Sequence, residues 1–304
     1  MKPHIAIILV NYNNEYHTIE CLHSLAKISY RNIHIIVVDN GSKDSSVESL
    51  RKEHAGVEII SAHKNLGFAG ANNVGIQKAL SMTVDYILML NNDTVVDSGF
   101  LEPLVDAMEG DSTLGAVSGT ICYHPDVNRI WYAGGEFLSW RAAVLHRYEG
   151  KEYQRVVGLT PTPITFITGC LFLMRADAVR KIGLLDEKLF MYYEDLEYSL
   201  RLQKNGYELK YIPSSRIYHK IKHQGNTPFT VYYGVRSRLV FMDLCLSGVR
   251  KIFARVTVIA SILIRLIQWR ISSPRLVHAA IVAIKDYRAG VYGIGWGSAI
   301  RYPE

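Results

Sequence analysis

Cysteine is scarce in this 304-residue chain. Its four residues, Cys21, Cys122, Cys170 and Cys245, stand far apart, with no C-x-x-C spacing and no histidine cluster beside them. That pattern excludes a zinc-finger type of centre and a disulfide framework, and it fits a reducing cytosol. Proline is also sparse, at 9 residues against 23 glycines, while 49% of the chain is hydrophobic and 20% charged, which is a globular composition rather than a disordered one. No secretory leader is read in MKPHIAIILVNYNN, because the apolar run ends at Asn11 before a small-residue cleavage site. Two nucleotide fingerprints are missing as well. No G-K-[ST] follows a glycine loop, and the glycine-rich segment NLGFAGANNVG lacks G-x-G-x-x-G spacing and follows the third apolar run, not the first. The formal charge of +6 is concentrated from Arg236 to Arg301, without the interleaved aromatics that stack single-stranded bases, so nucleic acid is set aside as a partner.

What the first hundred residues do contain is an alternation. HIAIILV, NIHIIVVD, VEIISA and DYILML are short, continuously apolar and β-branched, and segments of helical period separate them: EYHTIECLHSLA places Ile19, Leu22 and Leu25 on one face, and VGIQKALSM follows the glycine-rich loop. Continuous apolar strands separated by helices predict an α/β fold with a mainly parallel sheet covered on both faces. In such sheets ligands gather at the carboxyl ends of the strands. Four polar clusters, NYNN, DNGSKD, HKNLGFAGANN and NND, follow the four strands and are expected on one edge. Each alone reads as a turn, since Asn and Asp cap strand ends through their own backbone. Together they form a cradle, with a helix N-terminus favouring an anion.

The second half opens with an irregular stretch, 117–169, and continues through the apolar CLFLM into FMYYEDLEYSLRLQKNGY. Glu194 and Asp195 begin a helix there, a position the helix dipole itself favours for acids. They also follow Phe190, Tyr192 and Tyr193, an aromatic group of the kind that walls a pocket and raises a carboxylate toward useful basicity. His219, after the strand-like YELKYIP, joins Asp93 as a candidate oxygen-and-nitrogen site for Mg²⁺ or Mn²⁺. Beyond Tyr233 the composition shifts: VRKIFARVTVIASILIRLIQWRI is strongly apolar, but Arg255, Arg265 and Arg270 interrupt it short of the ~20 residues of a bilayer span. Phe253, Val256, Leu263, Ile264 and Ile267 fall opposite the basic residues, with Trp269 and Trp296 at interfacial positions, so a helix lying in an anionic membrane surface is expected. A helix packing on the catalytic domain or on a second copy in a homodimer is the alternative.

The ordered set IILVNYNN, VVDNGSKDSS, NLGFAGANNVG, LNNDTVV, TGCLFLMRADAVRKIG, FMYYEDLEYSLRLQKNGY and His219, from about Ile5 to Arg238, resembles the inverting glycosyltransferases of family 2, and among them the bacterial rhamnosyltransferase-like branch. The resemblance implies a GT-A fold over 1–240, with a nucleotide-sugar-binding half over 1–115 and an acceptor-binding, catalytic half over 116–240. A C-terminal amphipathic helical region is expected over 241–304. It implies Asn11, Tyr12 and Asp39 beside the nucleotide's base and ribose, and Asn65, Gly67, Phe68, Gly70 and Asn72 in a second nucleotide-binding loop. Asn92 and Asp93 occupy the metal-and-diphosphate element, whose first acid is replaced here by Asn91. His219 joins Asp93 at the divalent metal, Asp195 is the catalytic base, and Tyr193, Glu194 and Arg201 are assigned to the acceptor, Glu194 orienting either the acceptor or Arg201. The implied reaction moves a sugar, L-rhamnose from dTDP-rhamnose or a hexose from a UDP-sugar, to a hydroxyl of a glycan or polyprenyl-linked saccharide in surface polysaccharide synthesis. The implied location is peripheral, on the cytoplasmic face of the plasma membrane. A processive synthase would carry transmembrane helices and a Q-x-x-R-W element, and neither is read here. A non-catalytic nucleotide-sugar-binding scaffold is the rival from another class, and the retained Asp195 speaks against it.

Overall fold

Two seven-residue runs, Ile5–Asn11 (β1) and Ile33–Asp39 (β2), pair in parallel register from Ile5 opposite Ile33 to Asn11 opposite Asp39. Each run is extended because β-branched side chains are stiff at χ1 and pack well on a pleated surface. Each also ends on a polar residue at the same level of the sheet. In this computed structural model the described residues are 2–44, 46–53, 56–221 and 225–295, with the side chains of residues 46 and 53 excluded. Trp296 and Arg301 lie outside them. The remaining strands are Glu58–Ser61 (β3), Tyr86–Leu90 (β4), Thr94–Val96 (β5), Leu114–Tyr123 (β6), Ile130–Tyr132 (β7), Gly135–Leu138 (β8), Ala143–His146 (β9), Thr162–Pro163 (β10), Leu171–Arg175 (β11) and Glu208–His219 (β12). The helices are Glu15–Leu25 (α1), Ser46–Glu53 (α2), Gly67–Leu80 (α3), Leu101–Gly110 (α4), Ala176–Ile182 (α5), Glu194–Lys204 (α6), Pro228–Cys245 (α7), Gly248–Ser272 (α8) and Pro274–Arg288 (α9).

One sheet crosses the molecule in the order β10-β12-β6-β11-β4-β1-β2-β3. Strands β3, β2, β1 and β4 are mutually parallel, β6 and β12 are parallel to each other, and β11 runs antiparallel to both β4 and β6. The parallel α/β expectation therefore holds, with β11 as the one reversed central strand. All five residues of β4 are buried, and burying Ile87, Leu88 and Met89 contributes about 2 kcal/mol apiece. The stretch 117–169, expected to be irregular, contains most of β6, β7, β10 and the β8-β9 hairpin. Its strands are short and broken by glycines, which hides their period.

The glycine-rich segment also differs from its expected loop. Helix α3 begins at Gly67 and takes in the whole of GFAGANNVG, and the glycines serve close packing. A Cβ on Gly75 would stand 2.5 Å from Ile8 Cγ2, and one on Gly70 would stand 2.9 Å from Leu66 Cβ. Gly67 itself has φ +75°, and a Cβ there would meet the Phe190 carbonyl oxygen at 2.2 Å, so no residue with a side chain fits.

The C-terminal helices pack onto the domain instead of standing apart. Helix α7 starts at a capping box, Thr227 with Thr230, and has Pro228 in its first turn. Its Phe229, Tyr232 and Tyr233 share a core with Phe190 and with Leu276, Ala279, Ala280 and Ala283 of α9. Asp243 ties the three helices together, accepting a hydrogen bond from the Tyr287 hydroxyl and pairing with Lys251 and Arg255. Helix α8 divides lengthwise. Ala254 and Val258 are fully buried against the domain, and the Thr257 hydroxyl donates to the Trp140 carbonyl. The opposite stripe, including Phe253, Val256, Leu263, Ile264 and Ile267, is 54–74% exposed. At 25 residues with mean hydropathy 1.7 over its most apolar window, α8 is long and apolar enough to cross a membrane by length and composition. The expectation that its arginines fall too close together for that is corrected, because Arg265 and Arg270 are the only charges from Val256 to Ser272.

Candidate active site

The four strand-end clusters do converge on one edge, and side-chain hydrogen bonds sew them together. Asn92, after β4, donates to the Thr18 hydroxyl at 2.7 Å, Thr18 donates to Asn11 Oδ1 at 2.8 Å, and Asn11 donates to Asp39 Oδ1 at 2.9 Å. Asp39 also accepts from the Ser42 hydroxyl at 2.5 Å and, through Oδ2, from the Ser42 backbone at 3.1 Å. Both carboxylate oxygens are thus engaged in a residue only 2% exposed, and Asp39 holds the β1 and β2 loops in register. Asn40 links the next cluster: its amide accepts from Leu66 N–H and donates to Asn65 Oδ1, which in turn accepts from Gly67 N–H at 2.8 Å. Asn72 donates to the Phe68 carbonyl inside α3. Sequence reasoning missed Thr18 and Asn40, since a threonine within a helix and one more strand-end asparagine carry no signal until the loops meet.

A cavity of about 320 Å³ opens over this network. Of the predicted donor residues, Tyr12, Phe68, Asn72, Asn92 and Asp93 line it, and Asn11, Asp39, Asn65, Gly67 and Gly70 are not among its lining residues. A second cavity of about 770 Å³ adjoins it, and Phe68, Asn91, Asp93 and Met191 form the shared wall.

Asp93 and His219 meet through strand register. β5 pairs antiparallel with β12, with Thr94 opposite His219, which sets the histidine one residue from Asp93. Asp93 Oδ1 stands 2.9 Å from His219 Nε2, but off hydrogen-bond alignment, so this oxygen and His219 Nδ1 remain enclosed without a hydrogen-bond partner. Burial opposes both charges, yet neighbouring Cys170 and Asp93 raise the imidazole well above its usual range, and His219 lowers the Asp93 carboxyl. An unsatisfied carboxylate oxygen and an imidazole nitrogen this close suit two ligands of one divalent cation, with a cation replacing the imidazole proton. Among the described residues no third His, Cys, Asp or Glu completes the set, which leaves coordination positions for oxygens of a ligand.

Asp195 lies across the larger cavity, in the first turn of α6. Its Oδ2 accepts from Gly169 N–H at 2.9 Å and Oδ1 from Leu196 N–H at 2.8 Å, so the carboxylate is fixed while keeping lone pairs toward the cavity it lines. Burial pushes its pKa up to about 6, with the backbone N–H groups pulling the other way. Glu194 is only 5% exposed and one of its oxygens has no hydrogen-bond partner. Burial, then the charge of Asp195, raises it well above the carboxylate range, which favours its protonated form. Two successive tyrosines in left-handed backbone, Tyr192 at φ +66° and Tyr193 at φ +73°, turn the chain into α6. That conformation costs about 1–2 kcal/mol per non-glycine residue. The turn is clamped from three sides. Phe68 N–H donates to the Phe190 carbonyl, the Ser237 hydroxyl donates to the Met191 carbonyl, and Phe190 stacks on Tyr233 at 5.1 Å.

Arg201 falls outside this arrangement. It forms a bidentate pair with Glu197 at 2.9 and 2.7 Å and donates to the Ile182 carbonyl, so the expected partnership with Glu194 is corrected: an i, i+4 pair on α6 takes the guanidinium away from the cavity. Tyr193 does line the cavity, its hydroxyl 3.3 Å from the Ala142 carbonyl. Helices α7 and α8 add residues the motifs did not point to: Arg238, Ser261, Arg265 and Trp269.

The family model described as "Glycosyl transferase family 2" matches residues 6–183. An N-acetylglucosaminyl-diphospho-decaprenol L-rhamnosyltransferase of Mycobacterium tuberculosis is 25% identical over 247 residues, covering 75% of this chain and 80% of its own length. A poly-beta-1,6-N-acetyl-D-glucosamine synthase of Staphylococcus aureus is 27% identical over 217 residues, covering 69% of this chain and 48% of its own, so the chain spans about half of that relative. Among solved structures, GalNAc-T7 with UDP, GalNAc and Mn²⁺ superposes with a TM-score of 0.61 at 20% identity, over 77% of this chain and 47% of that one. S. aureus TarS superposes at 0.52 and 15% identity, over 82% and 41%. At these identities the two structures speak for the fold alone, which is GT-A.

Proposed function

This chain belongs to glycosyl transferase family 2, and from that premise we propose that it is an inverting glycosyltransferase in which Asp195 is the general base and Asp93 with His219 binds a divalent cation. One observation carries the reading: Asp195 and the Asp93–His219 pair face the same 770 Å³ cavity, on whose shared wall the smaller, asparagine-lined cavity opens. The smaller cavity takes the nucleotide of the donor, held by Tyr12, Asn72 and Asn92. The larger one takes the acceptor. Asp195, fixed by two N–H groups and poised near 6, accepts the proton of the attacking hydroxyl. Glu194, whose protonated form burial and the Asp195 charge favour, donates a hydrogen bond to the acceptor. Phe68 and Met191 screen the reacting centre from water. Attack by the hydroxyl on one face of the anomeric carbon while the nucleoside diphosphate departs from the other inverts the configuration without a covalent enzyme intermediate. When bound, Mg²⁺ or Mn²⁺ supplies neutralisation of the diphosphate's charge.

The donor proposed is dTDP-L-rhamnose, supported by the rhamnosyltransferase relative; a UDP-hexose is the alternative on the same fold. That relative's name also supports an acceptor saccharide carried on a polyprenyl diphosphate. The exposed stripe of α8 supports attachment to the cytoplasmic face of the plasma membrane. Contacts of α8 with the domain run from Ala254 to Trp269, so the helix lies along the domain and in the membrane plane, not across it. The test is release of nucleoside diphosphate and product formation from a panel of dTDP- and UDP-sugars, with Mg²⁺ or Mn²⁺ and a lipid-linked saccharide. Turnover with dTDP-rhamnose that needs both cation and acceptor is expected. Donor binding with no turnover over any acceptor would reduce the protein to a nucleotide-sugar-binding module.

A further inference from the structure

Two guanidinium groups face the acceptor cavity from the C-terminal helices, Arg238 from α7 and Arg265 from α8. Arg238 is half-buried and anchored: its Nε donates to the Ala142 carbonyl at 3.1 Å and its Nη2 to the Arg141 carbonyl at 2.5 Å. Arg265 lies 5.8 Å from the ring of Trp269, another wall residue. Among the described residues neither arginine pairs with a carboxylate. Burial lowers Arg238 from its ordinary value, Tyr193 opposes that shift, and the charges of Arg265 and Arg141 add to it. Among the described residues no ion pair joins either arginine to the cavity's own acids: Asp93 lies beside His219, and Asp195 accepts from backbone N–H groups. Arg265 is exposed and Arg238 half-buried, so the pair offers an anionic ligand two guanidinium groups at the rim of the cavity.

The surroundings narrow the ligand's class. On one side, the Tyr193 hydroxyl and Arg238 Nε converge on the same Ala142 carbonyl, and Tyr193 directly precedes Glu194 and Asp195, which line the same cavity as both arginines. On the other side, the face of α8 opposite Arg265 carries the exposed Leu263, Ile264 and Ile267. The base and both cations therefore line one cavity, and the helix that supplies Arg265 turns an apolar stripe outward. Resting on the transferase reading above, we propose that Arg238 and Arg265 bind the phosphate or diphosphate that joins the acceptor's saccharide to its lipid, a subsite separate from the one for the donor diphosphate beside Asp93.

Isothermal titration of the full chain in detergent micelles tests this without turnover, using farnesyl diphosphate against farnesol with Mg²⁺ and saturating dTDP or UDP occupying the donor side. Farnesyl diphosphate should bind at least about tenfold tighter than farnesol, a preference reduced about tenfold in Arg265→Gln and in Arg238→Gln. Arg238→Lys, which keeps the charge and loses the fork, should fall between them. Equal binding of the two ligands by the unaltered protein, or an unchanged preference in both Gln variants, overturns the proposal. A second arm uses phosphatidylglycerol vesicles: if the Gln variants lose vesicle binding but keep the farnesyl diphosphate preference, the arginines serve lipid headgroups and the subsite is refuted. Absence of transfer from every donor would instead remove the reaction itself, a failure this binding readout does not share.

Discussion

Asp195→Asn tests the base through both stability and rate. The carboxyl is moved from its ordinary 3.8 to about 6 chiefly by burial. At about 1.4 kcal/mol per pH unit, the ionised group costs the folded state about 3 kcal/mol at pH 7. The folded protein holds its proton more tightly than the unfolded chain, so this stabilisation is fully present below about pH 4 and is lost as pH rises through 6. Asparagine removes the titration but cannot accept both the Gly169 and Leu196 N–H bonds, a pH-independent penalty of about 1–3 kcal/mol. The two effects separate by pH. Urea denaturation at pH 4 and pH 7 should show the stability difference, variant minus wild type, shifting by about 2–3 kcal/mol in favour of the variant. In parallel, kcat should fall by about 10²–10⁴ while donor binding persists, and the wild-type rate should rise with pH through about 6 before levelling. Parallel stability profiles for the two proteins would refute the buried, raised carboxyl, and near-normal turnover by the variant would refute the base.

Asp93→Ala and His219→Ala should each weaken cation-stimulated donor binding by at least about a hundredfold, read by titrating Mn²⁺ at fixed nucleotide sugar; normal cation response in both would leave Asp93 as a strand-end turn. Glu194→Gln should leave the denaturation midpoint at pH 7 unchanged or raised, because burial and the Asp195 charge both disfavour the ionised carboxyl that glutamine replaces, and a large drop would refute that direction. Gly67→Ala should destabilise by more than about 2 kcal/mol, combining the left-handed backbone penalty with displacement of Phe190, and calorimetry would show an unshifted transition if that contact were slack. Replacing Ile264 and Ile267 by serine should reduce co-sedimentation with anionic vesicles by at least about tenfold without lowering the melting temperature, since both side chains are more than half exposed; undiminished sedimentation would turn the stripe toward a protein partner.

The α/β architecture was legible because continuous β-branched runs and helical periods are local properties. Four polar clusters on one edge followed from the rule that strand ends carry the loops, and Asp93, Asp195 and His219 were picked out by motif order. Burial decided the rest. Asp39 reads from sequence as a nucleotide contact, and what the fold adds is the engagement of both its oxygens by Asn11 and Ser42. Arg201 reads as a neighbour of the acids, but 3.6 residues per turn hands it to Glu197. NLGFAG reads as a loop before the helix, and the structure starts that helix at Gly67, where Gly70 and Gly75 allow close packing against Leu66 and Ile8.

The sequence by itself determined which segments become strands and helices, where the polar loops fall, and which acids and histidine are available, because those depend on neighbours along the chain. Only the tertiary structure decided that Asp93 meets His219, through the pairing of β5 with β12, and that the strained Tyr192-Tyr193 turn is clamped by α3 and α7. It alone gave α8 two faces, one lining the 770 Å³ cavity with Arg265 and one left apolar to the outside. Each of these joins residues tens to hundreds of positions apart, and such contacts are fixed by packing and register, which no local pattern encodes.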